Sequence, residues 1–460
     1  MKKLIVLLVA LAVLAACAQA TPEVVEKEVV VEKEVPVTVE VEKEVVVEKE
    51  VIVTPMPQPA QVTLGFVYGA FAPQEKWEGY FSSFLEAHPN VEINYIPVPL
   101  DSWGQYTEKI ITLIVGGEKV DVIWNAIEAV PLMAEKGVLM DLDPYMESDP
   151  EIQEFVDDVH PKLLEGLTWK GKQYLLPFAW NNVLMFYNTE VLANAGLAEP
   201  GKDWTWDDFL EYALTITTDE DGDGTNDVWG FDSWYSTWSA GPWTISNGSF
   251  WMNEDFSEPW YDKPATIEAV QFAYDLVWKY EVAPSGDFPT TEQFAAGNLG
   301  MFGGAPASRE GLIPAGVGTD EYNINLWPTN TGEVVRGSIW GTDGYGITAG
   351  SQNKDLAWEL LKHLVGKEVM SNLVTGTGAS GSAPARRSLA TGPEFAAASP
   401  SNYLYWYESL DAGRTVINAP NFATLGEIHN RYLSQTWAQE MTVEEACAMI
   451  QEDMEAEIGQ

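Results

Sequence analysis

The sequence predicts an α/β protein built from two to three domain-sized units. Three observations predict it. Strand-like alternation and helix-like stripes follow one another from residue 62 onward. The 460 residues are 46% hydrophobic and 20% charged, enough to bury sizeable cores. Only two cysteines occur, so no disulfide framework takes the place of packing.

Val62-Thr63-Leu64-Gly65-Phe66-Val67 reads as a first strand and runs into the turn-prone Tyr68-Gly69-Ala70. Trp77, Tyr80, Phe81, Phe84 and Leu85 then fall at i, i+3, i+4, i+7 and i+8, the stripe of an amphipathic helix. His88-Pro89-Asn90 stops that helix, and Val91, Ile93 and Tyr95 alternate with polar neighbours in a second strand. A helix follows from Trp103 to Val115, ended by Gly116-Gly117, and Val120 to Trp124 is a short strand of buried character. Strand, helix, strand, helix, strand implies a sheet with covered faces. Ligands of such sheets sit outside the carboxyl ends of the strands, which places Tyr68, Trp124 and Asn125 at a binding edge.

The chain begins Met1-Lys2-Lys3, followed by an apolar run from Leu4 to Ala16. As a helix that run rises only about 20 Å, short of a membrane core and typical of a secretory signal. Leu14-Ala15-Ala16-Cys17 resembles a bacterial lipobox, in which the chain is cut before Cys17 and the thiol is lipidated. An ordinary signal cut after Ala18 or Ala20 is the alternative. No other segment approaches eighteen continuous apolar residues. In residues 21 to 60, Glu-Lys-Glu recurs between valine pairs and triplets, with ten acids against four lysines, before Thr54-Pro55-Met56-Pro57-Gln58-Pro59. This reads as an extended tether with too little apolar surface for a core. With Cys17 as the anchor, Cys447 remains alone at helical spacing with Val443, Ala446 and Ile450, a buried structural thiol.

Acidic residues number 69 against 25 basic, a net charge of −44, of which −40 belongs to the body after the tether. Such a field repels phosphate backbones, and the most basic spots are only Lys2-Lys3 and Arg386-Arg387. Nucleic acid is excluded as a partner.

The order of motifs resembles the extracellular solute-binding proteins that include the maltose-binding proteins of ABC importers. The resemblance starts with the first strand, the amphipathic helix ending in Phe-x-x-x-x-Pro-Asn-Val (Phe84 to Val91), and Asp121-Val122-Ile123. It continues through Leu176-Pro177-Phe178-Ala179-Trp180, Leu184-Met185-Phe186-Tyr187-Asn188 and the helix start Trp204 to Phe209, where Thr205 and Asp208 approximate a capping box. Phe294 to Gly303, Gly344-Tyr345-Gly346-Ile347, Ser351 to Lys354 and Ala357-Trp358-Glu359 complete it. The resemblance implies a two-lobed periplasmic-binding-protein-like fold of type II. Each lobe would be a mainly parallel sheet flanked by helices, joined by about three crossings and closing over a solute like a hinge. The expected organisation is a signal peptide at 1–16 and a lipidated Cys17 with its tether at 17–60. The first lobe would take 61–177 and 344–398, and the second 178–343 and 399–460. The implied partners are a small solute, the permease of an ABC importer, and a membrane held through the N-terminal lipid. The implied location is extracytoplasmic, and no bond in the solute is broken.

Nineteen tryptophans point to sugar as the leading solute, because sugar C–H faces pack on indole rings. Trp180 with Asn181, Trp238 and Trp243 in a Gly/Ser-rich loop, Gly304 after the stretch Phe294 to Gly303, Trp340 and Trp406 are candidate cleft residues. Any one of these tryptophans could equally be core. Asp343, between glycines, and Arg386, beside Pro384, are candidate hydrogen-bonding partners, with exposed salt bridges as the alternative.

Asp219-Glu220-Asp221-Gly222-Asp223-Gly224-Thr225-Asn226-Asp227 has carboxylates at positions 1, 3, 5 and 9 of a loop and glycine at 6. That spacing suits a structural calcium ion held by Asp219, Asp221, Asp223, Thr225 and Asp227, although Gly230 stands where an EF-hand carries glutamate. A solvated turn is the alternative. No His-Glu-x-x-His, Gly-x-Ser-x-Gly or phosphate-binding loop occurs, and Gly376-x-Gly378-x-x-Gly381 follows a helix rather than a strand. The chain is therefore expected not to be an enzyme. A secreted glycosidase or a surface lectin is the second reading, since paired carboxylates need no local motif.

Overall fold

The structure is a computed structural model that describes residues 24–30, 47–53, 60–232, 237–330, 337–374 and 382–459, with backbone alone for 24–30, 47–53 and 237–239. The signal peptide, Cys17, most of the tether, Trp234 and the loop at 376–381 lie outside the described residues, as does the side chain of Trp238.

The chain divides into two units, 1–62 and 63–460. In the first, β1 (Val24–Val30) pairs antiparallel with β2 (Val47–Val53), which differs from an unpaired tether. The register sets Lys27 opposite Glu50 and Glu28 opposite Lys49.

The second unit follows the expected alternation. β3 (Val62–Gly69), α1 (Gln74–Ala87), β4 (Val91–Val98), α2 (Trp103–Val115) and β5 (Val122–Ala126) succeed one another. Phe66 of β3 meets Phe81 of α1 edge-on at 4.8 Å and stacks on Tyr68, so the predicted apolar stripe is the packed face. Gly65 is required where it stands: a Cβ would lie 1.9 Å from the carbonyl of Lys119. The same close approach lets the Gly65 N–H donate to Asp121 across 2.9 Å.

β6 (Leu176–Asn182) joins this first sheet, and β7 (Leu184–Asn188) opens the second, so the chain crosses at Val183. α3 (Trp206–Ile216) starts with the capping box that Thr205 and Asp208 announce. β8 (Trp229–Asp232), α4 (Thr237–Ser246), α5 (Pro264–Trp278), β9 (Leu299–Gly304) and β10 (Tyr322–Asn325) follow. The chain returns in β11 (Ile339–Ile347), which leads to α6 (Lys354–Leu364) and β12 (Ala383–Pro384). β13 (Arg414–Thr415), α7 (Phe422–Trp437) and α8 (Val443–Ile458) end the chain. The first sheet runs β12-β6-β11-β5-β3-β4, with β13 beside β11; the second runs β8-β9-β7-β10.

Both sheets are mixed rather than mainly parallel. β3 and β5 are parallel, but β11 re-enters from the second sheet and runs antiparallel to both β5 and β6. β7 is likewise antiparallel to β9 and β10. The expected boundaries at 177/178 and 343/344 fall inside β6 and β11, because each strand stays with the first sheet over its whole length. The crossings lie side by side: Val183 donates its N–H to Ser338 Oγ at 2.9 Å, and Arg414 donates its N–H to the Ser338 carbonyl at 2.9 Å. Cys447 is wholly buried in α8, and burial pushes its thiol up to about 12. No helix among the described residues is long and apolar enough to cross a membrane.

Candidate functional site

A cavity of about 260 Å³ opens where the start of α2 faces α7. From the first sheet it takes Trp103 and Glu108 of α2 and Glu128 of the single helical turn after β5. From the other side come Trp251, which follows α4, and Phe422 and Glu427 of α7. α7 packs on α4 and α8 as well as α2, so the cavity lies between the two sheets' helices. Ser102 caps α2 by accepting the Gln105 N–H at 3.2 Å. A Cβ on Gly104 would stand 2.7 Å from Ala423 Cβ, so the missing side chain sets how closely α2 approaches α7.

Next to Glu128 lies a second buried acid, Asp343. Trp124 at the end of β5 donates its indole N–H to Asp343 of β11 across 2.6 Å. Tyr106 donates its hydroxyl to the Trp124 carbonyl at 3.0 Å. Asp343 and Glu128 are 9% and 8% exposed, and burial pushes each carboxyl up to about 7. The indole N–H opposes the rise at Asp343, whereas the Asp343 charge adds to the rise at Glu128. Trp103 and the half-exposed Phe71 both lie against Trp124, with ring centroids 5.1 and 5.4 Å away, and form an aromatic ledge. Trp251 stacks on Tyr261, and its own indole N–H has no partner among the described residues.

The residues expected from sequence divide accordingly. Trp124, Asp343 and Trp340 stand together at the strand ends, with Trp340 adjoining the cavity-lining Ile339. Asn125 is beside them but fully buried, bonding to Thr107 and to the Ala126 N–H. Asn181 donates to Ser382 Oγ at 2.6 Å and accepts the Ala307 N–H at 3.1 Å, tying β6 to the segment after β9. The others are structural. Tyr68 is part of the first core, and Trp180 donates its indole N–H to the Pro384 carbonyl. Trp243 lies not in a loop but in helix α4, enclosed by Trp206, Phe209, Phe231 and Trp327, because burial of its large ring outweighs the Gly, Ser and Pro around it. Trp406 packs on Phe186 and under Arg309, and a Cβ on Gly304 would strike the Phe186 ring at 2.6 Å. Arg386 is buried against Phe155 and pairs with Glu154 at 2.8 Å and Asp158 at 3.3 Å. Sequence reasoning missed Phe71, Trp103, Glu128 and α7, since nothing local distinguishes them from core or surface, and it placed Trp251 only in the general tryptophan cluster.

In the acidic loop, Asp219, Asp221 and Asp227 bring oxygens within 4.8 Å of one another, while Asp223 turns to accept the Thr225 N–H. Gly222 and Gly224 adopt φ of 77° and 90°, the turn that the spacing predicts. The Gly222 and Gly224 N–H groups both donate to Asp219.

The family model for the bacterial extracellular solute-binding protein matches residues 69–371. Among relatives, the maltotriose-binding protein of Pyrococcus abyssi is 26% identical over 293 residues, 61% of this chain and 58% of that protein. The chain thus matches less than two thirds of that relative. The diacetylchitobiose binding protein DasA of Streptomyces coelicolor is 24% identical over 317 residues, covering 66% of this chain and 69% of that one. The ABC substrate-binding protein Lmo0181 from Listeria monocytogenes, solved with cycloalternan, superposes with a TM-score of 0.74 at 21% identity, over 87% of this chain and 99% of that one. The GacH receptor of Streptomyces glaucescens gives 0.72 at 20% identity, over 87% and 100%. Together with the paired sheets and the cavity between them, the match over 69–371 shows that the chain belongs to the bacterial extracellular solute-binding protein family.

Proposed function

We propose that this protein captures a sugar or short oligosaccharide between its lobes and presents it, unaltered, to the permease of an ABC importer. The observation that carries the reading is the cavity itself. Trp103 and Trp251 line it together with the buried Glu128, and the Trp251 indole N–H has no hydrogen-bond partner among the described residues. Flat apolar walls with a few fixed polar groups suit a ring whose C–H faces stack while its hydroxyls bond. The side-by-side crossings at Val183, Ser338 and Arg414 would serve as the hinge, and ligand contact with α2 and α7 at once would favour the closed form. The names of relatives that bind maltotriose and diacetylchitobiose support the same class of solute.

In this reading Cys17 carries a lipid that holds the protein at the membrane, and the loop at 219–227 takes a calcium ion on Asp219, Asp221 and Asp227. The test is a thermal-shift and tryptophan-fluorescence screen of mono- and oligosaccharides against non-sugar solutes, with recovery of the ligand afterwards. A ligand at 100 times its Kd stabilises by about 2.7 kcal/mol, a readily measured shift. Response to non-sugars alone would remove the sugar. Cleaved sugar would establish a glycosidase instead.

A further inference from the structure

The charges around the cavity are all of one sign. Glu108, Glu128 and Glu427 line it, and no lysine, arginine or histidine does so among the described residues. Surface acids are common in a chain of net charge −44, so Glu108 and Glu427, both exposed, carry little weight. Glu128 is different because it is buried. A buried carboxylate is costly unless it is paired or hydrogen-bonded, and the other buried acids obey that rule. Asp121 takes the Gly65 N–H and the Ser351 hydroxyl, and Asp343 takes the Trp124 indole. Among the described residues Glu128 receives only its own backbone N–H, and its charged neighbour is a second acid, Asp343.

We infer that the cavity selects a sugar bearing a free, protonated amine over its neutral counterpart, with Glu128 receiving the ammonium group. This deepens the sugar reading and rests on it. The ammonium supplies the missing counter-charge, and Trp103 offers it an aromatic face. A divalent metal is the poorer fit, because the only three acids that converge among the described residues are in the 219–227 loop. The Glu128 carboxyl is shifted upward first by burial and further by the nearby Asp343 charge.

The test is calorimetric titration of the full-length protein with the glucosamine disaccharide, its N-acetylated form, maltose and cyclohexylamine, at low and high salt. The free amine is expected to bind on the order of tenfold more tightly than its acetylated form, the effect of one charge-assisted hydrogen bond. Glu128→Gln is expected to erase that ratio, and Glu427→Gln only to reduce its salt dependence. Melting curves of both variants check folding, and Glu128→Asp should retain part of the ratio. Equal or tighter binding of the acetylated or neutral sugar overturns the inference and leaves the sugar reading standing. A ratio that survives Glu128→Gln overturns the role of Glu128. Binding of cyclohexylamine without any sugar keeps the charge selectivity and removes the sugar. Binding of nothing in the set removes both.

Discussion

Trp124 and Asp343, 219 positions apart, meet across 2.6 Å, and that bond joins the outgoing strand β5 to the returning strand β11. The pair does two things at once. It gives a buried carboxyl its donor, and it fixes the indole beneath Phe71 and Trp103. Trp124→Phe should keep the ring and remove the N–H. The expected loss is about 1–3 kcal/mol of stability, read as a lower Tm, with a weaker ligand shift. An unchanged Tm would mean that Asp343 finds another donor.

The pH dependence has a definite sign. Glu128 and Asp343 titrate near 7 in the fold, against 4.5 and 3.8 ordinarily, so the folded state holds their protons more tightly than the unfolded chain. Their contribution is complete below about pH 4 and is lost as pH rises through 7. Melting curves from pH 4 to 8 should therefore show the double variant Glu128→Gln, Asp343→Asn gaining on the native protein as pH rises. A constant difference would show that neither group is shifted.

Stacking and core tryptophans should separate cleanly. Trp103→Ala removes a half-buried ring that lines the cavity, so affinity should fall with a moderate loss of Tm, while the exposed Phe71→Ala should change Tm little. Trp243→Ala hollows the second core and should cost about 3–5 kcal/mol. Paired calorimetry and thermal melts check both. A Trp243 variant of normal Tm and lost affinity would return that residue to the site.

Arg386 should behave as a structural residue. Its removal strands Asp158, and Arg386→Ala should destabilise by about 3 kcal/mol, less any screening at the half-exposed Glu154, without altering Kd. Urea unfolding beside ligand titration decides it.

Calcium should raise Tm in the native protein and not in Asp219→Asn, Asp227→Asn, with chelator abolishing the difference. Equal response in both would place any bound calcium elsewhere.

What the sequence made legible was local. The stripe from Trp77 to Leu85, the Thr205–Asp208 box and the early strand–helix alternation depend on near neighbours, and each is found where expected. Period and capping report only on such neighbours. Whether Trp243 faces ligand or core depends on Phe231 and Trp327, which arrive from distant strands. Arg386 pairs with residues more than two hundred positions earlier, and α7 reaches the cavity only because it spans from α4 to α2. Tryptophan frequency suggested the proposed ligand class but did not say which tryptophans line the cavity.

The placement of β11 also bears on how the chain is made. During synthesis β5 emerges with β3 as its only strand neighbour, and its other edge stays open until β11 follows about two hundred residues later. Over that interval the nascent first lobe carries a bare apolar edge of the kind that recruits other chains. The second sheet, from β7 to β10, is translated wholly inside this interval, so it can fold while the first waits.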